Sequence, residues 1–284
     1  MEFVENKIVY MIASVTDADG EMITVGEMDL NKADANISLT TQVSNALMDK
    51  LNIVPHREGA DLSFRLSTVF SSKLFKNTVS PAGSLRLTDL RYTDIRDTIY
   101  IPDLNFVADK DTTGQNVFTL KSDIGHGQIR GKFTSVGLAN EIVYQLQSAA
   151  PSIFGEPIAI DAYRLKEDEE VEIALRLDGI RNIVKMLNPE VDIKSKVDIR
   201  GHLTSAGHES WLNIAADSIA YDNIAINDAQ VAATSLDGQI NVGFSSSKLN
   251  MPMLGDISKL RVSTNVEDDD VTADIGWQTI GSAE

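Results

Sequence analysis

The sequence predicts an all-β protein: an antiparallel sheet with a few short helices. Apolar and polar residues alternate along most of the chain, as in the run from Val171 to Leu177. Alternation with a period of two places one face of a strand in the core and the other in water, as in antiparallel sheets. Turn-forming pairs such as Asp19-Gly20 and Asp237-Gly238 separate the runs. Stripes with helical spacing are few and short.

The alternating runs give the strands, in chain order. Their apolar members are the candidates for a shared apolar strand face. The strongest runs contain Leu62, Phe64 and Leu66, then Val171, Ile173, Leu175 and Leu177, then Val191, Ile193, Val197 and Ile199, then Leu212 and Ile214, then Ile224 and Ile226, and finally Ile240, Val242 and Phe244. Two further runs, 260–266 and 271–277, flank Asp268-Asp269-Asp270, which we interpret as the polar tip of a hairpin.

Three segments break this pattern with the spacing of amphipathic helices. The apolar stripes of these segments are Val43, Ala46, Leu47 and Leu51, then Leu138, Ile142, Val143 and Leu146, and then Ile180, Ile183, Val184 and Leu187. A proline follows each stripe, at Pro55, Pro151 and Pro189. Because proline lacks an N–H and clashes with the preceding turn, it ends a helix. The sequence therefore predicts three short helices.

These helices predict a loose repeat of strand, short helix, proline and strand. In the second unit the strand after Pro151 would be Ile158-Ala159-Ile160. The repeats span about residues 37–110, 129–175 and 173–284. No linker rich in proline, glycine or serine separates them, so we expect residues 1–284 to form one continuous segment.

The composition excludes several classes of function. The 284 residues include 42 acidic and 25 basic side chains, for a net charge of −17. This balance argues against nucleic acid as a partner and against electrostatic binding to an anionic membrane surface. Because cysteine is absent, the chain has no disulfide, thiolate metal site or cysteine nucleophile.

Sequence motifs for catalysis or metal binding are missing. None of the four histidines, His56, His126, His202 and His208, has metal-site spacing, although His202 and His208 could face each other across a hairpin. We favour exposed turn residues over a metal site there. The run Asp17-Ala18-Asp19-Gly20 indicates a hairpin turn rather than a calcium loop. The many carboxylates could form a glycosidase pair, but nothing singles one out. We expect no enzyme, metal or cofactor.

Three segments resemble the TamB and AsmA-like superfamily of envelope proteins. The first is Leu175 to Ile180, followed by a short helix, the step Leu187-Asn188-Pro189 and a strand that ends at Gly201-His202-Leu203. The others are residues 122–133 and 216–229. The resemblance covers about residues 20–280 and rests on patterns rather than invariant residues.

This resemblance implies an elongated, strongly curved antiparallel sheet that forms an apolar groove, the repeating β-groove or β-taco. Proteins of this family cross the periplasm from an inner-membrane anchor. They are implicated in outer-membrane biogenesis, by moving phospholipid along the groove or by helping outer-membrane proteins assemble. The lining candidates would be the apolar residues named above in the strongest runs, from Leu62 to Phe244, together with Ile129 and Phe133. The helices would plug or cap the groove.

The chain departs from the family pattern because it has no N-terminal anchor and is shorter than a full-length member. We therefore expect an internal segment of a periplasmic parent protein whose membrane contacts lie elsewhere. Its expected partners are phospholipid acyl chains and outer-membrane assembly proteins. Two alternatives stay open: a β scaffold that pairs its edge strands with unfolded outer-membrane strands, and an extracellular β-sandwich binding module.

Overall fold

A computed structural model describes residues 8–29, 36–50, 59–71, 82–95, 98–149, 165–187, 190–205, 208–251, 255–267 and 269–279. These ranges contain sixteen β-strands and two helices, so the predicted all-β class with short helices is confirmed. The strands form one antiparallel sheet in chain order. Only β10 lies off this path, beside β12. Among the described strands the sheet is not closed, and β1 and β16 lie at its edges.

The chain divides into two compact units, residues 1–126 and 127–284. Seven strands belong to the first unit, and consecutive strands pair with each other. They are β1 (Ile8–Asp17), β2 (Gly20–Asp29), β3 (Asn36–Leu47), β4 (Asp61–Ser71), β5 (Gly83–Thr93), β6 (Thr98–Lys110) and β7 (Asn116–Ser122).

The remaining elements lie in the second unit, apart from the first two residues of β8. The strands are β8 (Gly125–Lys132), β9 (Glu170–Leu177), β10 (Val191–Ile193), β11 (Val197–Thr204), β12 (Ser210–Tyr221), β13 (Ile224–Leu236), β14 (Gln239–Met251), β15 (Gly255–Glu267) and β16 (Asp270–Thr279). The helices are α1 (Ser135–Ala149) and α2 (Arg181–Leu187). Tight turns join the hairpins, and Asp237 and Gly238 between β13 and β14 both have positive φ, as the predicted turn requires.

Four strands contain a residue with left-handed backbone conformation at an interior position. These residues are Asn45 (φ 51°), Asp89 (φ 53°), Asp228 (φ 50°) and Lys259 (φ 52°). Asparagine and aspartate tolerate this conformation better than most residues. Around each left-handed residue, successive apolar positions of the strand are three residues apart instead of two. These steps are 43→46, 87→90, 226→229 and 257→260. The left-handed residue re-aims the side chains that follow, as in a β-bulge.

This geometry corrects the first predicted helix. Val43, Ala46 and Leu47 lie in strand β3, and the pairing of β3 with β4 shifts between Val43 and Ala46. The left-handed Asn45 between them produces the three-residue step that the sequence presents as a helical stripe. Leu51 and Pro55 lie outside the described residues. Because this helix is wrong, the pattern of strand, helix, proline and strand does not occur three times.

The other two helices are confirmed as α1 and α2. Pro151, Pro189 and the expected strand Ile158-Ala159-Ile160 lie outside the described residues. The alternating run from Val191 to Ile199 forms two strands instead of one. Both β10 and β11 pair with β12. The run is divided at Ser195, whose hydroxyl accepts a hydrogen bond from Ser218 N at 2.9 Å. The side chain thus replaces one contact of the backbone ladder.

Buried side chains are few and scattered along the sheet. In the first unit they include Tyr92, Ile99 and Ile101, which come together where β5 pairs with β6. In the second unit Phe133 and Val171 are buried, at 2% and 0% exposure. Many large apolar side chains elsewhere are only half-buried, which is unusual for a sheet face that its own chain covers.

A candidate apolar binding face

Strand pairing places most of the predicted lining residues of the second unit on one face of the sheet. Directly opposed residues of antiparallel strands share a face. One row of mutually opposed residues crosses seven strands and is wholly aliphatic or aromatic. It consists of Leu175, Ile199, Ile214, Val231, Phe244, Val262 and Ile275. We call the face that carries this row the apolar face of the second unit.

The neighbouring rows on this face are also apolar. One row contains Ile173, Gly201, Leu212, Ala233, Val242, Thr264 and Ala273. The row on the other side contains Leu177, Val197, Ala216 and Ala229. Aliphatic side chains therefore form a continuous patch from β9 to β16. The Leu212 side chain fills the space beside Gly201.

The opposite face of the same strands is polar. The row next to Leu175 contains Ala174, Arg200, Asn213, Ala232, Gly243, Ser263 and Asp274. A second polar row contains Arg176, Asp198, Ala215, Gln230, Ser245 and Arg261. The separation of the two faces makes the polar one the side that water wets. Contact of the apolar face with water is unfavourable in free energy, so a ligand or partner that covers this face would stabilise the protein.

A further apolar row crosses β10 and β12–β15, on the far side of the left-handed residues Asp228 in β13 and Lys259 in β15. It consists of Ile193, Ile219, Ile226, Leu249 and Ile257. The predicted residues Ile193 and Ile226 thus lie together. Val191 and Ile224 are both opposed to Tyr221 at the strand ends.

The first unit has its own apolar face, built by the same rule. One row contains Val15, Met22, Val43 and Phe64, and the next contains Thr41, Leu66, Leu87 and Leu104. A third contains Leu39, Thr68, Leu85, Phe106 and Leu120. The described part of this unit contains no helix, and its strands contact chiefly their neighbours within the sheet.

The polar face of the first unit carries an ion pair and a charge-assisted hydrogen bond between neighbouring strands. Arg86 Nε donates to Asp103 Oδ1 at 2.9 Å, and Arg65 donates to Gln42 at 3.1 Å. The Asp103 carboxylate raises the pKa of the Arg86 guanidinium, through the hydrogen bond first and the opposite charge second. Both partners are exposed, so the pair contributes little to stability.

A pocket of about 330 Å³ opens in the first unit where β1 and β2 meet. Its apolar lining comes from Val15, Met22, Val43, Ala46, Met48, Leu62 and Phe64. The predicted residues Leu62 and Phe64 are among them. Because Val43 and Ala46 both line this pocket, the apolar face continues across the left-handed Asn45.

A second apolar pocket, of about 210 Å³, lies in the second unit between α1 and the sheet. Ile142 and Leu146 of α1 face Ile173, Leu212 and Ile240 across it. The helix is fastened there by the Gln145 side-chain amide, which donates to the Thr204 carbonyl at 3.2 Å and to Ser210 Oγ at 3.3 Å. Helix α1 thus lies over one end of the apolar face and leaves space beneath it.

Three predicted lining residues are buried by the chain itself. Phe133, Val171 and Val197 are 2%, 0% and 7% exposed, so they do not present an open surface to a ligand. Ile129 is half-buried in β8. His202 and His208 are not opposed to each other. In the strand pairing His202 is opposed to Trp211, and its Nε2 lies 3.9 Å from Glu170 Oε2.

Sequence reasoning missed most of the apolar face in the first unit. The missed apolar residues are Val15, Met22, Leu39, Val43, Leu85, Leu87, Leu104, Phe106 and Leu120. The available signal was alternation in 83–93 and 98–108 with one slipped step at Asp89. A search for strict alternation does not recognise these segments as strands.

The comparisons with known proteins give no neighbour. No family model, no curated protein and no solved structure matches the chain. Neither helix of the described ranges combines the length and apolarity that a membrane crossing requires. Within the same ranges His, Asp and Glu side chains nowhere gather in threes that could hold a metal ion.

Proposed function

We propose that the apolar faces of this sheet hold lipid acyl chains. The observation that supports this most strongly is the row from Leu175 to Ile275, which crosses seven strands without a polar side chain. Its outer end is open, since Ile275 is 60% exposed. Each methylene that moves from water onto such a surface contributes about 0.8 kcal/mol.

The chemistry of the lining suits chains rather than rings. Aliphatic side chains predominate in the rows, and the pockets beside β1 and beneath α1 are lined almost wholly by carbon. Such surfaces bind methylenes without demanding a hydrogen-bond partner from the ligand. The polar face keeps the sheet compatible with water on its other side.

In the setting that the sequence resemblance suggests, the chain is a segment of a TamB or AsmA-like envelope protein in the periplasm. Its parent would be anchored in the inner membrane and would hold or conduct phospholipid toward the outer membrane. The apolar face supports the acyl-chain part of the proposal, and the resemblance suggests the envelope setting.

Charge placed on the apolar face tests this proposal. Leu175→Asp puts a carboxylate into the row from Leu175 to Ile275, and Ala174→Asp puts the same group on the polar face one residue away. We expect Leu175→Asp to lower the binding of a fluorescent phospholipid at least tenfold, since about 1.4 kcal/mol or more of apolar contact is lost. Ala174→Asp should bind as the unaltered protein does.

Circular dichroism and gel filtration establish that both variants are folded. If folded Leu175→Asp binds lipid as well as Ala174→Asp does, the row does not contact lipid. Binding lost equally in both variants would point to unspecific charge repulsion instead.

A second function has an observation of its own. Strand β1 is an edge of the sheet, and its residues from Ile8 to Thr16 include no charged residue and no proline. Tyr10 and Ile12 are 68% and 77% exposed. Edge strands are normally guarded by charge, bulges or proline, so this edge is suited to pairing with an added strand, such as an outer-membrane protein segment before assembly.

Proline scanning separates this function from lipid holding. One of the two successive N–H groups of Met11 and Ile12 points away from β2, so proline at that position removes an outward donor. If edge pairing operates, one of Met11→Pro and Ile12→Pro should block capture of an alternating β-strand peptide and leave lipid binding intact. Unchanged capture by both folded variants would reject this function.

A further inference from the structure

The polar face of the second unit contains a surface depression of about 570 Å³ on strands β9, β11 and β12. Trp211 is among its lining residues and is 36% exposed. Strand pairing places Trp211 in one row with His202 and Glu172, on the face opposite to the apolar face. Arg200 and Ala174 belong to the next row of the depression. An exposed indole on a polar face has no role in the proposed binding of acyl chains.

The two oppositely charged side chains of this depression have no polar partner among the described residues. Glu172 and Arg200 are both exposed, and neither side chain forms a hydrogen bond or an ion pair there. The neighbouring Arg176 on the same face is paired, since it donates to Asp178 at 3.1 Å. Glu172 therefore offers two acceptor oxygens to a ligand, and Arg200 offers its guanidinium N–H donors.

The balance of charge in the depression favours a neutral ligand. Besides His202, its ionisable lining consists of one acidic and one basic side chain, Glu172 and Arg200. A phosphate or carboxylate ligand would favour an excess of basic groups, which this lining does not have. Donors and acceptors beside an aromatic ring suit a molecule that has both hydroxyl groups and an apolar C–H surface. Sugars combine these two features.

We propose that this depression binds a neutral carbohydrate. A sugar ring would pack its C–H surface against Trp211, and its hydroxyls would donate to Glu172 and accept from Arg200. This activity is separate from acyl binding, because the two ligands would occupy opposite faces of the same strands.

Tryptophan fluorescence tests the binding in the whole chain. Trp277→Phe leaves Trp211 as the only tryptophan, because the chain contains two. This variant is titrated with three neutral hexasaccharides, of maltose, cellulose and chitin type, and with the anionic hexagalacturonate. We expect at least one neutral hexasaccharide to change the Trp211 emission saturably, and hexagalacturonate to bind more weakly. If none of the neutral sugars changes the emission, or if hexagalacturonate binds as tightly, the proposal is overturned.

Matched variants locate the site, with calorimetry of the hexasaccharide that binds as the measurement. Trp211→Ala removes the indole of the depression, and Trp277→Ala removes the other tryptophan, which is 57% exposed. We expect Trp211→Ala to weaken binding about tenfold or more, and Trp277→Ala to leave it unchanged. Arg200→Gln should also weaken binding about tenfold, since a charged donor is lost. Its control is Arg261→Gln, on the same polar face but outside this depression.

Circular dichroism establishes which variants are folded, and the arginine pair tests the site if Trp211→Ala is not. Loss of sugar binding that is confined to Trp211→Ala and Arg200→Gln establishes the proposal. Binding that these folded variants retain, or lose no more than their controls, overturns it. Phospholipid binding by Trp211→Ala should equal that of the original chain, so failure of the carbohydrate site leaves the proposed acyl binding to be judged separately.

Discussion

Asn45 shows how one residue shapes a strand. Its left-handed conformation shifts the apolar positions of β3 from alternate residues to a step of three, and Ser63 Oγ on β4 accepts its N–H at 2.9 Å. Asp89, Asp228 and Lys259 occupy equivalent positions in their strands. A polar residue at this step lets the chain change register while its apolar side chains stay on one face.

Substitution of Asn45 should show this conformational requirement. Asn45→Val places a β-branched residue in the left-handed region and should lower the free energy of unfolding by about 1–2 kcal/mol. Asn45→Gly should be close to neutral, because glycine adopts this conformation freely. Urea denaturation measures both. Equal stability of the two variants would mean that the backbone at this position does not depend on the residue.

Asp192 provides a pH-dependent contact in the second unit. Arg181 Nε and Nη2 donate to its two oxygens at 2.6 and 2.8 Å, which joins α2 to β10. The Arg181 hydrogen bonds, and then the charges of Arg181 and Lys185, hold the pKa of Asp192 below its usual value against the opposing effect of burial. Because the folded pKa is lowered, the ionised carboxylate stabilises the fold above the unfolded pKa.

This stabilisation should therefore disappear as the pH falls through the lowered pKa. We expect Asp192→Asn to lower the free energy of unfolding by less than about 1 kcal/mol at neutral pH. It should have no effect once the pH is below the lowered pKa, where both chains carry an uncharged residue. Urea unfolding across this range measures the difference. Asp274→Asn, at an exposed position of β16, serves as control. A constant difference between Asp192→Asn and the original chain at every pH would contradict the ion-pair explanation.

At the scale of elements, alternation was enough to predict the strands that alternate strictly. The predicted runs 62–66, 171–177 and 240–244 all lie within strands and supplied half of the lining candidates. Strands β5 and β6 were missed, since Asp89 breaks the alternation in the first and Pro102 lies within the second. The false helix at Val43 has the same cause. Sequence alternation does not show which strands pair, so the rows of the apolar face needed the register.

The contact between β8 and β9 depends on a glycine. Gly131 has φ +155°, and a Cβ at this position would collide with the Glu170 carbonyl on β9. Gly131→Ala should therefore push the two strands apart and lower the free energy of unfolding by about 1–3 kcal/mol. Gly114→Ala, in an open turn with φ +83°, isolates the conformational part of the cost. The prediction is contradicted if thermal unfolding shows no larger loss at Gly131 than at Gly114.

At the scale of the whole molecule, each unit separates apolar and polar side chains onto the two faces of its own strands. In each unit, aliphatic rows occupy one face, and the opposite face carries pairs such as Arg86–Asp103 and residues such as Arg200 and Asp274. This division explains how a chain with a net charge of −17 can present long apolar rows and still remain compatible with water. It also explains why strand register, rather than any motif, defines the candidate site.

Lipid extraction tests the central claim most directly. The purified protein is extracted with organic solvent, and the extract is analysed by lipid mass spectrometry beside that of a soluble acidic protein of similar size. If the apolar faces hold acyl chains, phospholipid should be recovered in stoichiometric amount above the control. A lipid-free protein that is folded and monomeric would contradict the claim, because its apolar rows would then be covered by its own side chains.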